Sequence, residues 1–246
     1  MHFELAEVSL LGDREENQDR SVVRTDRAGV LLVVADGMGG HAGGALAAEV
    51  ALDSLCRSFA AADAESEPRQ FLQEALAYAH DDVVRIGEEV AAGSRPRATC
   101  AVCLVQDGRA TWAHVGDSRI YFARGGKVVT RTRDHTPIES LLQDGLISEE
   151  EIAGHPMRHY VEYCLGGFAE RPLITVSETA GLETGDILLV CSDGLWSGVS
   201  DAEIGAGPED GAAMQDWLAR LAGRAVRAGT PYSDNTTVVA LRVPVN

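Results

Sequence analysis

Positive charge, long apolar runs and paired cysteines are all scarce in this sequence, and each shortage removes a class of protein. Its 246 residues carry 21 Lys and Arg against 38 Asp and Glu, a formal net charge of -17. Neutralising nucleic-acid phosphates needs clustered cations, so no nucleic-acid partner is expected. The longest aliphatic stretches, Val30 to Ala35 and Ile187 to Cys191, are far shorter than the roughly 20 residues that cross a bilayer. No membrane association is expected either. The N-terminus, MHFELAEVSLLGDREEN, lacks a basic start, an apolar run and a small-residue cleavage site, which predicts no signal peptide and a cytoplasmic location. The five cysteines, Cys56, Cys100, Cys103, Cys164 and Cys191, are odd in number and scattered, which suits reduced thiols better than a disulfide framework. Cys100 and Cys103 form a C-x-x-C inside the apolar run ATCAVCLV, with no second pair at zinc-ribbon spacing, and read as buried strand thiols.

What is present is the composition of a soluble globular protein, 45% hydrophobic and 24% charged, long enough for one large core. An acidic balance mainly favours solubility. It gains a functional meaning where carboxylates converge, because a convergent set repels itself until cations neutralise it.

Three segments have helical period. Ala48, Leu52, Leu55 and Phe59 mark one over 44–60; Leu72, Leu76, Ala79, Val83, Ile86 and Val90 mark a second over 69–92; Met214, Trp217, Leu218, Leu221 and Ala225 mark a third over 212–228. Each presents an apolar stripe to a core. CAVCLVQ and RATWAHV flank Asp107-Gly108, and RIYFA and KVVTRT flank Gly125-Gly126; these dipeptides supply the positive φ of two-residue hairpins, so the sheets should be antiparallel. VLLVVA and ILLVC are apolar at every position and predict strands covered on both faces. Trp112 and Trp196 read as core. Residues 136–168 differ, with a short helix signalled by Ser148 and Glu151 at capping-box spacing among Gly, Pro and His. They read as a flap inserted over one edge of the sheets, within a single domain spanning 1–246.

The aspartates fall where strands end. Asp36 follows VLLVVA, Asp193 follows ILLVCS, Asp19 precedes a short apolar segment, Asp117 lies in GDSR between two strands and Asp234 lies in SDNTT before the last. Any one of these is an ordinary turn former, as Asp107 and Asp144 are. Together they mark rigid positions from which side chains can enter a cleft.

Their contexts match one pattern in order: GDREENQDR (12–20), VVADGMGGHAGG (33–44), ATWAHVGDSRIYFARGGKV (110–128), RDHT (133–136), ILLVCSDGLW (187–196) and SDNTTVVAL (233–241). DGMGGH, GDSRIY, SDGLW and SDNTT in this sequence make the chain similar, over essentially its whole length, to the metal-dependent protein serine/threonine phosphatases, the protein phosphatase 2C-like family, in bacterial stand-alone form. The resemblance implies an α+β four-layer sandwich, two central antiparallel sheets with helices on both outer faces. It also implies two Mn²⁺ or Mg²⁺ ions in the channel between the sheets. Asp36 resembles the carboxylate bridging both ions, and Gly37 offers its carbonyl. Asp193 and Asp234 resemble further ligands of the first ion, and Asp19 resembles the acid that holds the second through water. Asp117 resembles the residue that, with Asp193, admits a third and weaker ion. Arg14 resembles the arginine that grips the substrate phosphate, and Asn235 resembles a supporting partner. Phosphorylated Ser/Thr proteins are the implied substrates of a monomeric enzyme. A cognate Ser/Thr kinase, a forkhead-associated domain protein and type VI secretion control are associations of such phosphatases.

The chemistry of the residues agrees. An all-oxygen donor set suits hard cations such as Mg²⁺ and Mn²⁺ rather than zinc or copper, and a bridging hydroxide generated there could attack phosphorus directly. Arg14 can hold two phosphate oxygens through its planar fork. His41, five residues after Asp36, is the motif's candidate for protonating the departing Ser or Thr oxygen; a metal-bound water could serve instead. Some positions depart from the family pattern. Gln18 stands where many relatives have Glu, and Ala98 replaces a common Gly in what reads as a loop near the cleft. His155 and His159 have a spacing that can bind metal on a helix, but Pro156 between them favours a surface or flap-packing role. Other readings are a phosphatase for another phosphoester, such as an anti-sigma-factor cascade, and a catalytically weak phosphoprotein-binding module. A calcium-binding structural protein would want a contiguous D-x-D-x-D loop, which is absent.

Overall fold

Alternating strands sort their side chains to two faces, and in this chain both faces are apolar for most of the central strands. The computed structural model describes residues 2–38, 42–63, 65–89, 95–152, 155–158, 160–209 and 211–244. It opens with β1 (Glu4–Leu10), β2 (Asp19–Asp26) and β3 (Gly29–Met38), then α1 (Ala42–Ala61) and α2 (Pro68–Glu89). Next come β4 (Arg97–Gln106), β5 (Arg109–Val115), β6 (Arg119–Arg124) and β7 (Lys127–Arg131). Short elements follow: α3 (Pro137–Gln143), α4 (Glu149–Ile152), β8 (Leu165–Gly166), β9 (Thr175–Val176) and β10 (Ala180–Gly181). The chain closes through β11 (Ile187–Cys191), α5 (Asp193–Trp196), α6 (Asp201–Ala206), α7 (Met214–Gly229) and β12 (Thr236–Arg242).

The strands form two antiparallel sheets, one ordered β1-β12-β11-β6-β7, the other β10-β5-β4-β3-β2 with β8 on β4 and β9 on β5. Period-2 alternation divides each central strand between two cores. On β3, Val30, Leu32 and Val34 meet Leu188, Val190, Val239 and Leu241 of the other sheet, while Leu31, Val33 and Ala35 pack on α1 and α2. On β11, Ile187, Leu189 and Cys191 pack outward with Leu218, Leu221 and Ala225 of α7. The result is the four-layer α/β/β/α sandwich expected from the sequence, with three stacked apolar cores. Burying one aliphatic side chain is worth roughly 1.5–3 kcal/mol, so this double coverage explains why VLLVVA and ILLVC carry no polar residue.

The hairpins turn at Asp107-Gly108 and Gly125-Gly126, all four with positive φ. Cys100 and Cys103 face different cores, Cys100 towards the helices and Cys103 between the sheets. Burial raises both thiols, Cys100 to about 12, and neither can share an ion with the other. Three sequence readings are revised. Ala98 is not in a loop: it lies in β4, fully buried opposite Gly37. Leu165–Gly166, inside the stretch read as a flap, pairs with β4 in the sheet, and Leu165 is fully buried in the core under α1 and α2. Trp196 is half-buried against the α7 core rather than enclosed. The predicted second helix is described to Glu89; Val90, His41 and His159 lie outside the described residues.

Candidate active site

The alternation that buries Val30, Leu32 and Val34 between the sheets puts Asp36, two residues further on, on the same face. Asp19 is its direct cross-strand partner. Ser192 continues the inward face of Leu188 and Val190, and its Oγ donates to Asp19 Oδ2 at 2.7 Å, tying one sheet to the other. The same Oγ accepts from the Thr237 N–H at 3.0 Å. Asp193 opens α5 at the end of β11, and Asp117 sits in the β5–β6 turn after Gly116, whose φ is +99°. A Cβ on Gly116 would stand 2.5 Å from Thr99 Cγ2, so this turn tolerates no side chain.

Asp36, Asp117, Asp193 and Asp234 line one cavity of about 950 Å³, with Gly37 at its wall and Arg14 at its mouth. Asp19 stands behind Asp36, almost fully buried. Burial and the neighbouring acids together disfavour charge here. Asp36 is raised well above the ordinary carboxylate range by burial and by the charges of Asp19, Asp193, Asp117 and Asp234. Asp193 is raised likewise by burial and by Asp117, Asp234 and Asp19, with Arg14 opposing. Burial pushes Asp117 up to about 7, helped by Asp134 and Asp234 and opposed by Arg119. Asp19 is pushed up to about 6 by burial, against the hydrogen bonds from Ser192 and Thr237. Arg14 donates from Nη2 to Asp234 Oδ2 at 2.7 Å, both side chains partly exposed.

Among the described residues, no three acidic, histidine or cysteine side chains close into a ready-made cage for a single ion. The carboxylates instead stand around a shared space, as mutually repelling groups do. The donor set nonetheless fits hard divalent cations: every candidate ligand is oxygen, several are buried, and a cation would relieve the repulsion that raises four of these acids.

The loop that carries Arg14 is fastened to the Asp234 turn. Asn235 Oδ1 accepts from Gln18 N at 2.9 Å, while its Nδ2 donates to the Leu11 and Glu16 carbonyls at 2.8 and 3.1 Å. Ser233 N and Oγ donate to Asp13 Oδ2 at 3.0 and 2.7 Å, which holds the Asp13 carboxyl below its ordinary range. Gln18 lines the cavity and turns its amide to Glu16, Nε2 to Oε2 at 3.2 Å, so an acid remains beside the position that lacks one. The residues 37 and 44 touch through bare backbone, since a Cβ on Gly37 would overlap the Gly44 carbonyl.

A second network supports Asp117. Arg119 makes a two-pronged bond to Asp134, Nε to Oδ1 at 2.7 Å and Nη2 to Oδ2 at 2.6 Å, both partners mostly buried. Its guanidinium stacks 3.7 Å over the Trp196 ring, and Trp196 Nε1 donates to the Asp117 carbonyl at 2.9 Å. Trp196 is therefore a bracket for the Asp117 turn, which is why it is not enclosed. Nothing local in the sequence signals this, although Ser192, Arg119 and Trp196 all lie inside the matching segments. His155 Nδ1 accepts from Met157 N at 3.2 Å, a local turn bond.

Comparison with known proteins gives consistent matches. The family model described as Protein phosphatase 2C matches residues 9–228. The chain is 34% identical over 205 residues to the protein phosphatase PhpP of Streptococcus pneumoniae, covering 80% of this chain and 82% of that protein. It superposes on the serine/threonine phosphatase of S. agalactiae with a TM-score of 0.86 and 29% identity, covering 98% of this chain and all of the other. It also superposes on the catalytic domain of the serine/threonine protein phosphatase PstP, solved in complex with two manganese ions, with a TM-score of 0.80 and 30% identity over 99% of each chain.

Proposed function

This chain belongs to the protein phosphatase 2C family, and from that premise we propose that it hydrolyses phosphoserine and phosphothreonine in proteins, with two Mn²⁺ or Mg²⁺ ions, opposing a Ser/Thr kinase. The observation that carries the reading is the cavity itself: four aspartates line it, Asp19 pairs with Asp36 behind it, and Arg14 stands at its mouth. Asp36 would bridge both ions and Gly37 would offer its carbonyl. Asp193 and Asp234 would complete the first site, Asp19 would hold the second through water, and Asp117 with Asp193 would take a weaker third. When bound, the ions supply a nucleophilic hydroxide near neutral pH and Lewis acidity at phosphorus.

The chain's own residues do the rest. Arg14 reaches into the cavity from a loop that Asn235 and Asp13 pin to the Asp234 turn, so its planar fork orients two phosphate oxygens and offsets charge in the transition state. As the P–O bond to the Ser or Thr oxygen breaks, His41 delivers a proton to that oxygen. The phosphoryl group takes its fourth oxygen from water and leaves as inorganic phosphate, with no phosphoenzyme. Residues 1–246 would act as one phosphatase domain, working as a monomer in the cytoplasm, with the part of 136–168 that precedes Leu165 screening substrates. A kinase and a forkhead-associated domain protein would be its partners in signalling.

The test is hydrolysis of p-nitrophenyl phosphate and of a phosphothreonine peptide with Mn²⁺ supplied. Activity on both, lost by more than a hundredfold in Asp193→Asn, supports the reading. An inert wild-type protein, or an Asp193→Asn variant with unchanged turnover, would refute it.

A further inference from the structure

The cavity extends well beyond the carboxylates. Its volume, about 950 Å³, is near the upper end for sites that enclose a whole small-molecule ligand, and one phosphorylated side chain leaves much of it empty. The remaining space runs along the last turns of α7. Ala225, Ala228 and Gly229 recur at i, i+3 and i+4, one face of that helix, and line the space together with Ser197, Gly198 and Tyr232. The helix passes so close to Gly198 that a Cβ there would stand 2.6 Å from Ala225 Cα, so no side chain can fill the groove from that side.

Tyr232 forms the outer wall. It is 89% exposed, the most open of the large apolar side chains among the described residues. Its backbone is nevertheless held on both sides: Tyr232 N donates to the Gly229 carbonyl at 2.8 Å, and the next residue, Ser233, is doubly bonded to Asp13. A large ring carried on a pinned backbone is prearranged for contact, which lowers the ordering cost of binding. Ala225, Ala228, Gly229 and Gly198 offer no charged or hydrogen-bonding side chain. Glu15, Glu16 and Arg158 also line the cavity.

Resting on the phosphatase reading, we infer that this groove is a specificity subsite for the residue flanking the phosphorylated one. It takes an apolar side chain between Tyr232 and the small residues of α7. Because the groove is continuous with the carboxylate-lined end of the same cavity, its occupant is the substrate chain itself.

The experiment compares wild type, Tyr232→Ala and Ala228→Phe on phosphothreonine peptides carrying Leu, Gly or Glu at the flanking positions, and on p-nitrophenyl phosphate, which has no flanking residue. Both substitutions are at exposed positions, and thermal melts check the fold. Wild type should prefer Leu over both Gly and Glu. Each variant should lose about tenfold in kcat/KM on the Leu peptide, mostly through KM, while staying within twofold on the aryl phosphate. An active wild type without this preference, or variants that lose equally on the aryl phosphate, would overturn the inference alone. A wild type inert on every substrate would overturn the phosphatase reading and the inference together.

Discussion

Asp19 and Asp36 occupy one rung of the antiparallel ladder between β2 and β3, two carboxylates directly opposite each other on the face that looks towards the second sheet. Like charges so placed destabilise a sheet, and here Asp193, Asp117 and Asp234 add to the field at Asp36. The fold accepts this repulsion at one place and surrounds it with apolar packing on three levels.

Divalent metal should therefore stabilise the protein. An ion at a hundredfold excess over its dissociation constant adds about 2.7 kcal/mol, or roughly 5–10 °C in Tm for a chain of this size. Calorimetry with Mn²⁺ and with EDTA measures it. Asp36→Asn should raise the Tm in EDTA while abolishing the Mn²⁺ shift; an unchanged Mn²⁺ shift in the variant would contradict the placement of Asp36 at the metals.

The Arg119–Asp134 pair should be costly to break from one side. Asp134→Asn leaves a buried guanidinium short of its charge partner, and losses for such changes run to about 3–5 kcal/mol. Replacing both, as Arg119→Met with Asp134→Leu, should recover part of that loss in urea denaturation. Trp196→Phe keeps a ring under Arg119 but removes the bond to the Asp117 carbonyl, at about 1 kcal/mol; its half-saturating Mn²⁺ concentration should rise severalfold.

Acid sensitivity should have a histidine component. Burial, with the charge of His114, pushes His135 down to about 3. His135 Nδ1 accepts from Gly116 N at 3.2 Å and its ring stacks on His114 at 4.4 Å. Between pH 6.5 and 3 the unfolded chain binds a proton here that the folded chain does not, so stability falls as pH falls through this window and is unaffected above it. The slope for one proton approaches about 1.4 kcal/mol per pH unit. Urea midpoints of His135→Gln against wild type, from pH 7 to 5, should show a shallower decline in the variant; parallel curves would exclude the effect.

His41 should matter in proportion to how poor the leaving group is. His41→Ala should slow hydrolysis of a phosphothreonine peptide far more than that of an aryl phosphate. Equal losses on both, read from kcat, would assign proton delivery to water.

Much of this protein was legible in local sequence because the physics involved is local. The stripes of Leu72, Leu76 and Val83 or of Trp217, Leu218 and Leu221, the positive-φ pairs at 107–108 and 125–126, and the uninterrupted apolar strands determined the helices, hairpins and doubly covered sheets. The order of the aspartate-bearing segments pointed to the family. Which residues brace those aspartates was decided only by tertiary structure. Ser192 meets Asp19 across 173 residues, Asn235 meets Gln18 across 217, and Trp196 meets the Asp117 turn across 79. Such contacts depend on how two sheets and their end loops stack, and no spacing along the chain encodes that distance. Reading Trp196 as simple core missed its bond to the Asp117 turn for this reason, and reading Ala98 as loop missed its strand pairing with Gly37. A residue's type reports that it prefers burial or a turn, while the partner it finds there is set by packing from the other sheet.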